Sequence, residues 1–437
     1  MSGSAALAAA HSRGIDAFAR AVRHSATVGA LRERNFRLLF IGQSVSALGN
    51  ALVPVALAFA ILDLTHSPAD LGYVLGAEAA AQVVFLLAGG VIADRLSRRA
   101  VMLGADAVRG AAEAALGALL VTGRPSVWLI AALAAVQGMA GALFMPASTG
   151  LTPAVVSQAN LQQANQIQQV ALSGAGVAGP ALAGVLVVAA SPGWAILADA
   201  VSFGASVAFL ATLDLTAAPR PSRQRFVTDL REGWDAFRSR TWLWTITAVS
   251  AVFNFLYAAY IVLGPVVSQR SYGGAAAWAT VATVGGVGSV AGGLLSMRLR
   301  PRHPLRLAVL VSCFLPLPPL AFAAGLPVPA IAVVAALGGT GIIVFYSQFT
   351  TTMQRQVPEQ ILSRVSSYDW FASLAVFPVG LAVAGPAAAA LGVRAVLWGT
   401  GLIQLAAILS LLLVPSVRQL TDEAPAAIPS QVSPPAA

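Results

Sequence analysis

The chain of 437 residues is 57% hydrophobic and only 10% charged, with a mean hydropathy of +0.78, whereas about a quarter of the residues in a soluble protein are charged. This composition excludes an ordinary soluble fold and indicates that lipid is the solvent. All 26 basic residues are arginine. Without lysine, the chain can form neither a phosphate-binding ATPase loop nor a Schiff base, so an ATP-driven motor within it is excluded.

Twelve apolar runs are long enough to cross a bilayer, which takes about 20 helical residues. They are predicted at 37–62, 70–93, 100–122, 126–148, 164–190, 194–213, 242–268, 276–297, 304–325, 328–352, 363–390 and 393–415. Prolines within 314–320 interrupt the ninth run and weaken its helix. The predicted fold class is an all-α membrane protein.

The arginines predict the orientation of the runs, because positive charge accumulates in short cytoplasmic loops. Arg124, Arg270 and Arg394 lie on one side, Arg109 lies within the third run, and the remaining arginines lie on the opposite side. We therefore expect a multi-pass protein of the cell (inner or plasma) membrane with both termini in the cytoplasm. The first run is too long for a signal-peptide core, so no cleavage is expected.

The runs divide the chain into five regions. These are a basic cytoplasmic segment at 1–36, six-helix bundles at 37–213 and 242–415, a cytoplasmic linker at 214–241 and a disordered cytoplasmic tail at 416–437. Within the linker, one helical face carries Phe226, Leu230, Trp234 and Phe237. This pattern predicts an amphipathic helix at the membrane surface.

The two bundles share landmarks at nearly one offset, as duplicated halves of a transporter would. Asn50 and Asn254 lie 204 residues apart. The glycine pairs at 89–90 and 292–293 lie 203 apart, and the Gly-Pro pairs at 179–180 and 385–386 lie 206 apart.

The joint after the second run reads Gly89-Gly-Val-Ile-Ala-Asp94-Arg95-Leu-Ser-Arg98-Arg99. It resembles the loop signature of the major facilitator superfamily, with Ser97 where the second glycine usually lies. The resemblance covers nearly the whole chain and implies twelve transmembrane helices in two six-helix pseudo-repeats. It also implies that the joint closes the cytoplasmic side, through Gly90, Asp94, Arg95, Arg98 and Arg99.

The fifth run resembles the motif of antiporter-type exporters in the same superfamily. The matching residues are Gly176, Gly179, Pro180 and Gly184, with Ala183 replacing one glycine. Close packing of helices is the alternative explanation for these small residues. The surroundings at 144–147 and 158–160 look most like the branch of bacterial siderophore and macrolide exporters.

Charged residues within the runs are candidates for proton coupling, because such residues are costly inside a membrane. The candidates are Glu78, Glu113, Asp106, Arg109 and Asp369. Three of them share one face of the third helix, so Arg109 can pair with either Asp106 or Glu113. A purely structural ion pair is the favoured alternative for Asp106 and Arg109. Ala134 stands where the family usually has an arginine, which puts a stereotyped proton relay through the fourth run in doubt.

By the resemblance, the first, fourth, seventh and tenth helices line a central cavity. The candidate lining residues are Gln43, Asn50, Gln137, Asn254, Tyr257, Tyr346 and Phe349. A neutral, aromatic wall favours a lipophilic or amphiphilic solute over a phosphate or sugar acid. Each of these residues could equally hold helices together.

The sequence therefore predicts a secondary active transporter that exports a small lipophilic or amphiphilic compound by alternating access, in exchange for protons. An importer or uniporter of the same fold and a non-transporting sensor are the alternatives. No convergent His, Cys or carboxylate cluster suggests an enzyme, and neither a metal nor a cofactor is expected. The expected partners are the lipid bilayer, the solute and protons, without nucleic acid, and the protein is expected to act as a monomer.

Overall fold

The structure is a computed structural model that describes residues 29–95, 97–123, 125–213 and 233–421. The predicted all-α fold is confirmed, and no strand occurs within these ranges. The helices of the first half are α1 (Arg34–Asn50), α2 (Val53–Thr65), α3 (Pro68–Arg95), α4 (Arg98–Thr122), α5 (Val127–Val155), α6 (Leu161–Ala189) and α7 (Pro192–Ala211). Those of the second half are α8 (Thr241–Ser271), α9 (Ala275–Arg298), α10 (Pro304–Ser312), α11 (Leu317–Ala324), α12 (Val328–Gln356), α13 (Glu359–Leu374), α14 (Phe377–Leu391) and α15 (Val393–Ser410).

Within the described ranges, eleven helical stretches are long and apolar enough to cross a membrane, and α4 supplies the twelfth predicted span. It is the exception because it carries Arg98, Arg99, Asp106, Arg109 and Glu113. Helix α4 packs against α5 and α7 and buries both of its acids. Its charged face is therefore turned toward protein, where intramembrane charges are tolerated.

Three spans are broken just before a proline. The first span ends α1 at Asn50 and resumes as α2, whose second residue is Pro54. The ninth and eleventh spans resume with Pro318 and Pro378 at the second position of α11 and α14. Proline has no backbone N–H and clashes with the preceding turn, so the start of a helix is the position that suits it best. The break after Asn50 matters most, because it borders the site described below.

The chain forms two compact units, which are described separately. Unit 1 contains α1 to α7 together with 261–283 and 381–387. The described residues of unit 2 are 233–260, 284–380 and 388–421. Parts of α8, α9 and α14 therefore pack with the helices of the first half. The boundaries of the two six-helix bundles stay a prediction.

Within unit 1, small residues bring helices of the two halves into contact. A Cβ added to Gly184 would lie 2.5 Å from Ala279 Cβ, and one added to Gly385 would overlap the backbone of Ala69. Gln269 Nε2 also donates a hydrogen bond of 2.6 Å to Asp63 Oδ1. These contacts lie near helix ends on the side away from the arginine-rich loops.

The linker and the tail are only partly described. Residues 214–232, with Phe226 and Leu230 of the predicted amphipathic helix, lie outside the described ranges. Residues 233–238 are helical, and there Phe237 is buried while Trp234 stacks on it at 5.8 Å. The predicted tail begins later than residue 416, because Pro415–Arg418 is helical and Val417 is fully buried in the core of unit 2.

Candidate functional site

The break in the first span presents the side chain of Asn50 to the interior of unit 1. Asn50 Nδ2 donates to the Ser46 carbonyl at 2.7 Å and to Ser46 Oγ at 3.1 Å. Asn50 Oδ1 accepts a hydrogen bond from the guanidinium of Arg109 on α4. The end of α1 is thus tied directly to the centre of α4.

Arg109 is held by neutral groups and not by the acids of its own helix. Besides its bond to Asn50, it donates through Nε to Gln137 Oε1 at 3.3 Å, and its guanidinium lies 4.3 Å from the centre of the Phe203 ring. Gln137 Nε2 donates back to the Arg109 carbonyl at 3.2 Å. The direct ion pair with Asp106 or Glu113 that the helical spacing allowed is not formed, because amides on α1 and α5 bind the guanidinium instead.

Two acids on α4 face α7. Asp106 is fully buried and accepts a hydrogen bond of 2.6 Å from Ser206 Oγ through Oδ2, while Oδ1 has no partner in the described part of the chain. Glu113 is 4% exposed, and its carboxyl group lies within hydrogen-bonding reach of the Asp199 carboxyl. Asp199 is fully buried and accepts a bond of 2.6 Å from Ser202 Oγ.

Glu78 on α3 completes the set of acids. A Cβ on Gly138 would overlap the backbone carbonyl of Glu78, so this glycine allows α3 and α5 to pack closely at that level. Arg109 interacts electrostatically with four acids, and Glu78 also interacts with Glu113. We refer to these acids as the acid cluster: Glu78, Asp106, Glu113 and Asp199.

A cavity of about 590 Å³ adjoins the cluster within unit 1, and Arg109 forms part of its wall. Its other lining residues come from α1, α5 and α6. Ten of these side chains are amides or hydroxyls, joined by hydrogen bonds such as Gln168 Nε2 to Gln43 Oε1 at 2.8 Å, and the apolar members of the wall are Phe40, Ala47, Phe144, Met145, Ala171 and Leu172. The polar members of the wall are Gln43, Ser44, Ser46, Asn50, Ser148, Thr149, Thr152, Asn165, Gln168 and Gln169.

The predicted cavity residues lie in different places in the structure. Gln43 and Asn50 line the large cavity, and Gln137 binds the arginine at its edge. In unit 2, Asn254 and Tyr346 line a separate pocket of about 50 Å³. The contribution of α6 was not predicted, because the resemblance named only the first, fourth, seventh and tenth helices.

Two aromatic candidates are placed elsewhere. Tyr257 stacks on Phe253 with ring centres 5.5 Å apart. The prediction for Phe349 is wrong: it is 4% exposed, meets Trp242 edge-on and belongs to the hydrophobic core of unit 2. Helical spacing alone did not distinguish a core-facing aromatic from a cavity-facing one.

The predicted gating joint is described in part. Gly90, Asp94 and Arg95 lie in the last two turns of α3, and their side chains lie outside the described part of the structure. Ser97, where the family pattern has glycine, caps α4 by accepting a hydrogen bond from the Ala100 N–H at 3.2 Å, a favourable helix start. Arg98 is exposed.

The last residue of the motif joins two helix ends. Arg99 donates to the carbonyl of Leu210 at 2.9 Å and to that of Ala211. These carbonyls end α7, where a positive charge is favourable. Its role as a gate stays a prediction.

Glu33 fixes the joint between α5 and α6 just outside the first span. Its carboxylate accepts hydrogen bonds from Asn160 Nδ2 and Ser157 Oγ, both at 2.7 Å, and from the Ser157 N–H at 2.9 Å. These bonds, that of Asn160 first, hold the pKa of Glu33 below its usual value. Residues 158–160 were singled out only by a resemblance, and in the structure Asn160 of this segment binds Glu33.

The exporter-like residues of α6 also differ among themselves. A Cβ on Gly179 would overlap Ala51 at the break of the first span, so Gly179 allows close packing there, as Gly184 does at Ala279. Gly176 has open space around it. Pro180 lies inside the continuous helix.

The fifth proton-coupling candidate lies in unit 2. Asp369 on α13 is 9% exposed and accepts a hydrogen bond of 2.5 Å from Thr247 Oγ1 on α8. In the described part of the chain, no arginine interacts with it. Asp369 therefore has surroundings of its own within unit 2.

Asp199 is the member of the cluster that the sequence analysis missed. It lies within the sixth apolar run, so the criterion that selected Glu78 and Glu113 applies to it equally. Asp199, Ser202 and Ser206 also recur at helical spacing along one face of α7. That polar stripe faces the acids of α4 and was the available signal.

Comparisons with known proteins agree with this architecture. The family model of the Major Facilitator Superfamily matches residues 39–373. The enterobactin exporter EntS of Citrobacter koseri is 32% identical over 44% of this chain, but the match spans only 45% of that relative. Macrolide efflux protein A of Streptococcus pyogenes is 24% identical over 82% of this chain and 90% of its own length.

Solved structures share the fold at low sequence identity. A D323A mutant of the nucleoside transporter NupG superposes with a TM-score of 0.70 at 12% identity, covering 86% of this chain and 99% of that one. A bacterial homologue of the human lysosomal transporter Spinster, in an inward-facing and unoccupied conformation, gives a TM-score of 0.68 at 15% identity, covering 88% and 96%.

Proposed function

Because this chain belongs to the Major Facilitator Superfamily, we propose that it is a secondary active transporter that exports a small amphiphilic compound in exchange for protons. The observation that carries the proposal is the acid cluster beside the large cavity. Four carboxylates and one guanidinium would leave three uncompensated negative charges inside the membrane. Such charge is costly at that depth, and bound protons remove it.

Export is the direction favoured by the relatives. Macrolide efflux protein A and the enterobactin exporter are both named for export. With the arginine-rich loops and both termini in the cytoplasm of a cell-membrane protein, an exporter takes up its solute from the side of those loops. We propose that a monomer carries out this cycle, as the expected partners are only lipid, solute and protons.

The wall of the cavity refines the class of solute. Arg109 and a wall of amides and hydroxyls offer hydrogen bonds, and no acid lines the cavity within the described residues. Such a wall suits an amphiphile with several oxygen acceptors and offers no counter-ion to a lipophilic cation. The solute we propose is therefore more polar than a purely lipophilic compound.

Alternating access is supported by the contacts within unit 1 between helices of the two halves. These are the glycine contacts at Gly184 and Gly385 and the Asp63–Gln269 hydrogen bond, and we propose that they break and re-form during the cycle. Opposite them, the joint around Arg99 is the proposed cytoplasmic gate. Gly90, Asp94, Arg95 and Arg98 are proposed to act with it.

The test uses everted membrane vesicles with an imposed proton gradient and a pH-sensitive dye. A panel of macrolides, catechol-type siderophores and lipophilic cations is added to the wild type and to Glu78→Gln and Glu113→Gln. We expect an oxygen-rich compound to dissipate the gradient in the wild type, with the response lost in the Glu113→Gln variant. Asp235→Asn is the control, because that acid is exposed and pairs with Arg238 on the surface.

Two other outcomes of this experiment would contradict parts of the proposal. A response equal in all variants would show that protons move without the cluster. No response to any compound, with the protein inserted and folded, would contradict proton antiport and favour import, uniport or a sensor role.

A further inference from the structure

The carboxyl groups of Glu113 and Asp199 form a closely spaced pair between α4 and α7. Both residues are almost completely buried, at 4% and 0% exposure. Their side chains are within hydrogen-bonding reach of each other. Glu113 Oε2 and Asp199 Oδ2 have no hydrogen-bond partner among the described residues. Two carboxylates can be joined by a hydrogen bond only if a proton lies between them.

The charges around the pair also indicate that a proton is bound there. Arg109 faces both members, and Glu78 faces Glu113. Asp106, the remaining acid of the cluster, faces Arg109 and Asp199. One arginine thus serves all four acids, and its hydrogen bonds go to Asn50 and Gln137. Arg109 therefore cannot neutralise the pair by direct contact in this arrangement.

The first span packs directly over the pair. A Cβ on Gly49 would overlap Asp199 Oδ1 and Ser202 Oγ. The next residue, Asn50, binds Arg109 and lines the cavity. The end of the first span therefore packs against Asp199 of the pair through Gly49 and lines the cavity through Asn50.

On these observations we propose that Glu113 and Asp199 share the coupling proton, which makes Asp199 a proton-carrying residue of the transport cycle. The inference rests on the proposed function for its role in transport. The step itself is simple: one proton binds between a carboxyl oxygen of Glu113 and one of Asp199 and later leaves. Only the O–H bond forms and breaks. Loss of the proton adds one negative charge to the pair and draws Arg109 away from Asn50 and the cavity.

Infrared difference spectroscopy tests the shared proton without needing the solute. The full-length protein is placed in lipid nanodiscs with its aspartate side chains labelled with carbon-13 at the carboxyl group, which separates aspartate bands from glutamate bands. Spectra are recorded as the pH is stepped from acidic to alkaline. We expect Asp199→Asn to change the titration of a glutamate band, because Glu113 loses its partner.

Three further variants make the result specific. Glu113→Gln should change an aspartate band in the reciprocal way. Asp369→Asn should remove an aspartate signal and leave the glutamate titration unchanged. Asp199→Glu keeps both carboxyl groups and should retain coupled titration. This variant also gives a second reading if Asp199→Asn fails to fold.

Glutamate bands that titrate identically in the wild type and in Asp199→Asn would overturn the pair. In everted vesicles, Asp199→Asn should reduce proton-coupled transport by about tenfold, as the loss of one strong interaction would. A wild type that never couples transport to protons would contradict the proposed function while the spectra still report on the pair. A wild type that couples, with an Asp199→Asn that couples equally, would contradict the inference alone.

Discussion

Buried acids occur in both units, but their surroundings differ. In unit 1, three buried acids and the half-buried Glu78 surround Arg109 beside a cavity of about 590 Å³. In unit 2, Asp369 accepts a hydrogen bond from the Thr247 hydroxyl, and the nearby pocket measures about 50 Å³. Only the first arrangement combines uncompensated charge with space for a solute. Among the described residues, the groups that we propose for proton coupling thus lie in unit 1.

The repeated landmarks of the sequence do not carry the same chemistry. Asn50 binds Arg109, whereas its counterpart Asn254 donates to the Ser373 carbonyl at 3.0 Å. At the repeat offsets of 203 to 206, the positions that correspond to Arg109 are residues 312–315, none of which is charged. The duplication preserved the helix positions, and one copy alone carries the arginine around which the acids gather.

The largest effect should follow from removing that arginine. Arg109→Gln leaves four acids without the one cation that interacts with them among the described residues, and loss of one partner from a buried charged network costs about 3 kcal/mol. We expect a lower thermal unfolding temperature of the purified protein in detergent and complete loss of transport in vesicles.

Arg109→Lys is the matched control for charge. It keeps the cation but cannot reproduce the planar contacts with Phe203, Asn50 and Gln137, because lysine is a point charge. We expect intermediate stability and weak transport. An Arg109→Gln protein as stable as the wild type would contradict the contrast between the acids of the two units, since the acid cluster would then need no counter-ion.

A smaller effect is expected at the glycine that lies over the acid pair. In Gly49→Ala the added methyl group would overlap Asp199 Oδ1 and lie 2.8 Å from Ser202 Cβ. Overpacking of this kind costs about 2 kcal/mol. The corresponding position in unit 2 is Phe253, so no such close approach exists there.

Gly141→Ala is the control, because nothing lies within 4 Å of a Cβ added at that position of α5. Alanine favours helix over glycine by about 1 kcal/mol, so this variant should be as stable as the wild type or slightly more so. Equal unfolding temperatures for Gly49→Ala and Gly141→Ala would show that α1 does not press on the acid pair.

Much of this arrangement follows from the sequence, because lipid imposes simple rules on a helix. Each of the twelve predicted runs coincides with helical structure, and eleven of the helical stretches are long and apolar enough to cross a membrane. Glu78 and Glu113 were candidates before their contacts were known, because a charged side chain inside a membrane has a high energetic cost.

The sequence did not predict which face of each helix packs against which neighbouring helix. The spacing of Asp106 and Arg109 allowed an ion pair, but amides on two other helices bind the guanidinium. Phe349 had the spacing of a cavity residue and lies in a core. Asp199 met the same criterion as Glu78 and was overlooked, but its contact with Glu113 on another helix could not be predicted from either run. Such contacts between helices depend on how the helices pack together. The sequence of one helix alone does not determine that packing.

The smallest effect is expected when one hydroxyl donor is removed in each unit. This pair of variants distinguishes an effect on stability from an effect on transport. Ser206→Ala removes the hydroxyl donor to Asp106, and Thr247→Val removes the donor to Asp369. A buried acceptor left without its donor costs about 1 kcal/mol in either case, so the two unfolding temperatures should fall by similar amounts. Transport should respond only to Ser206→Ala, through an altered dependence on pH, because Asp106 interacts with Arg109 while Asp369 interacts with no arginine in the described residues. An equal change in the pH profile of Thr247→Val would place Asp369 in the proton pathway and would remove the distinction between the two units.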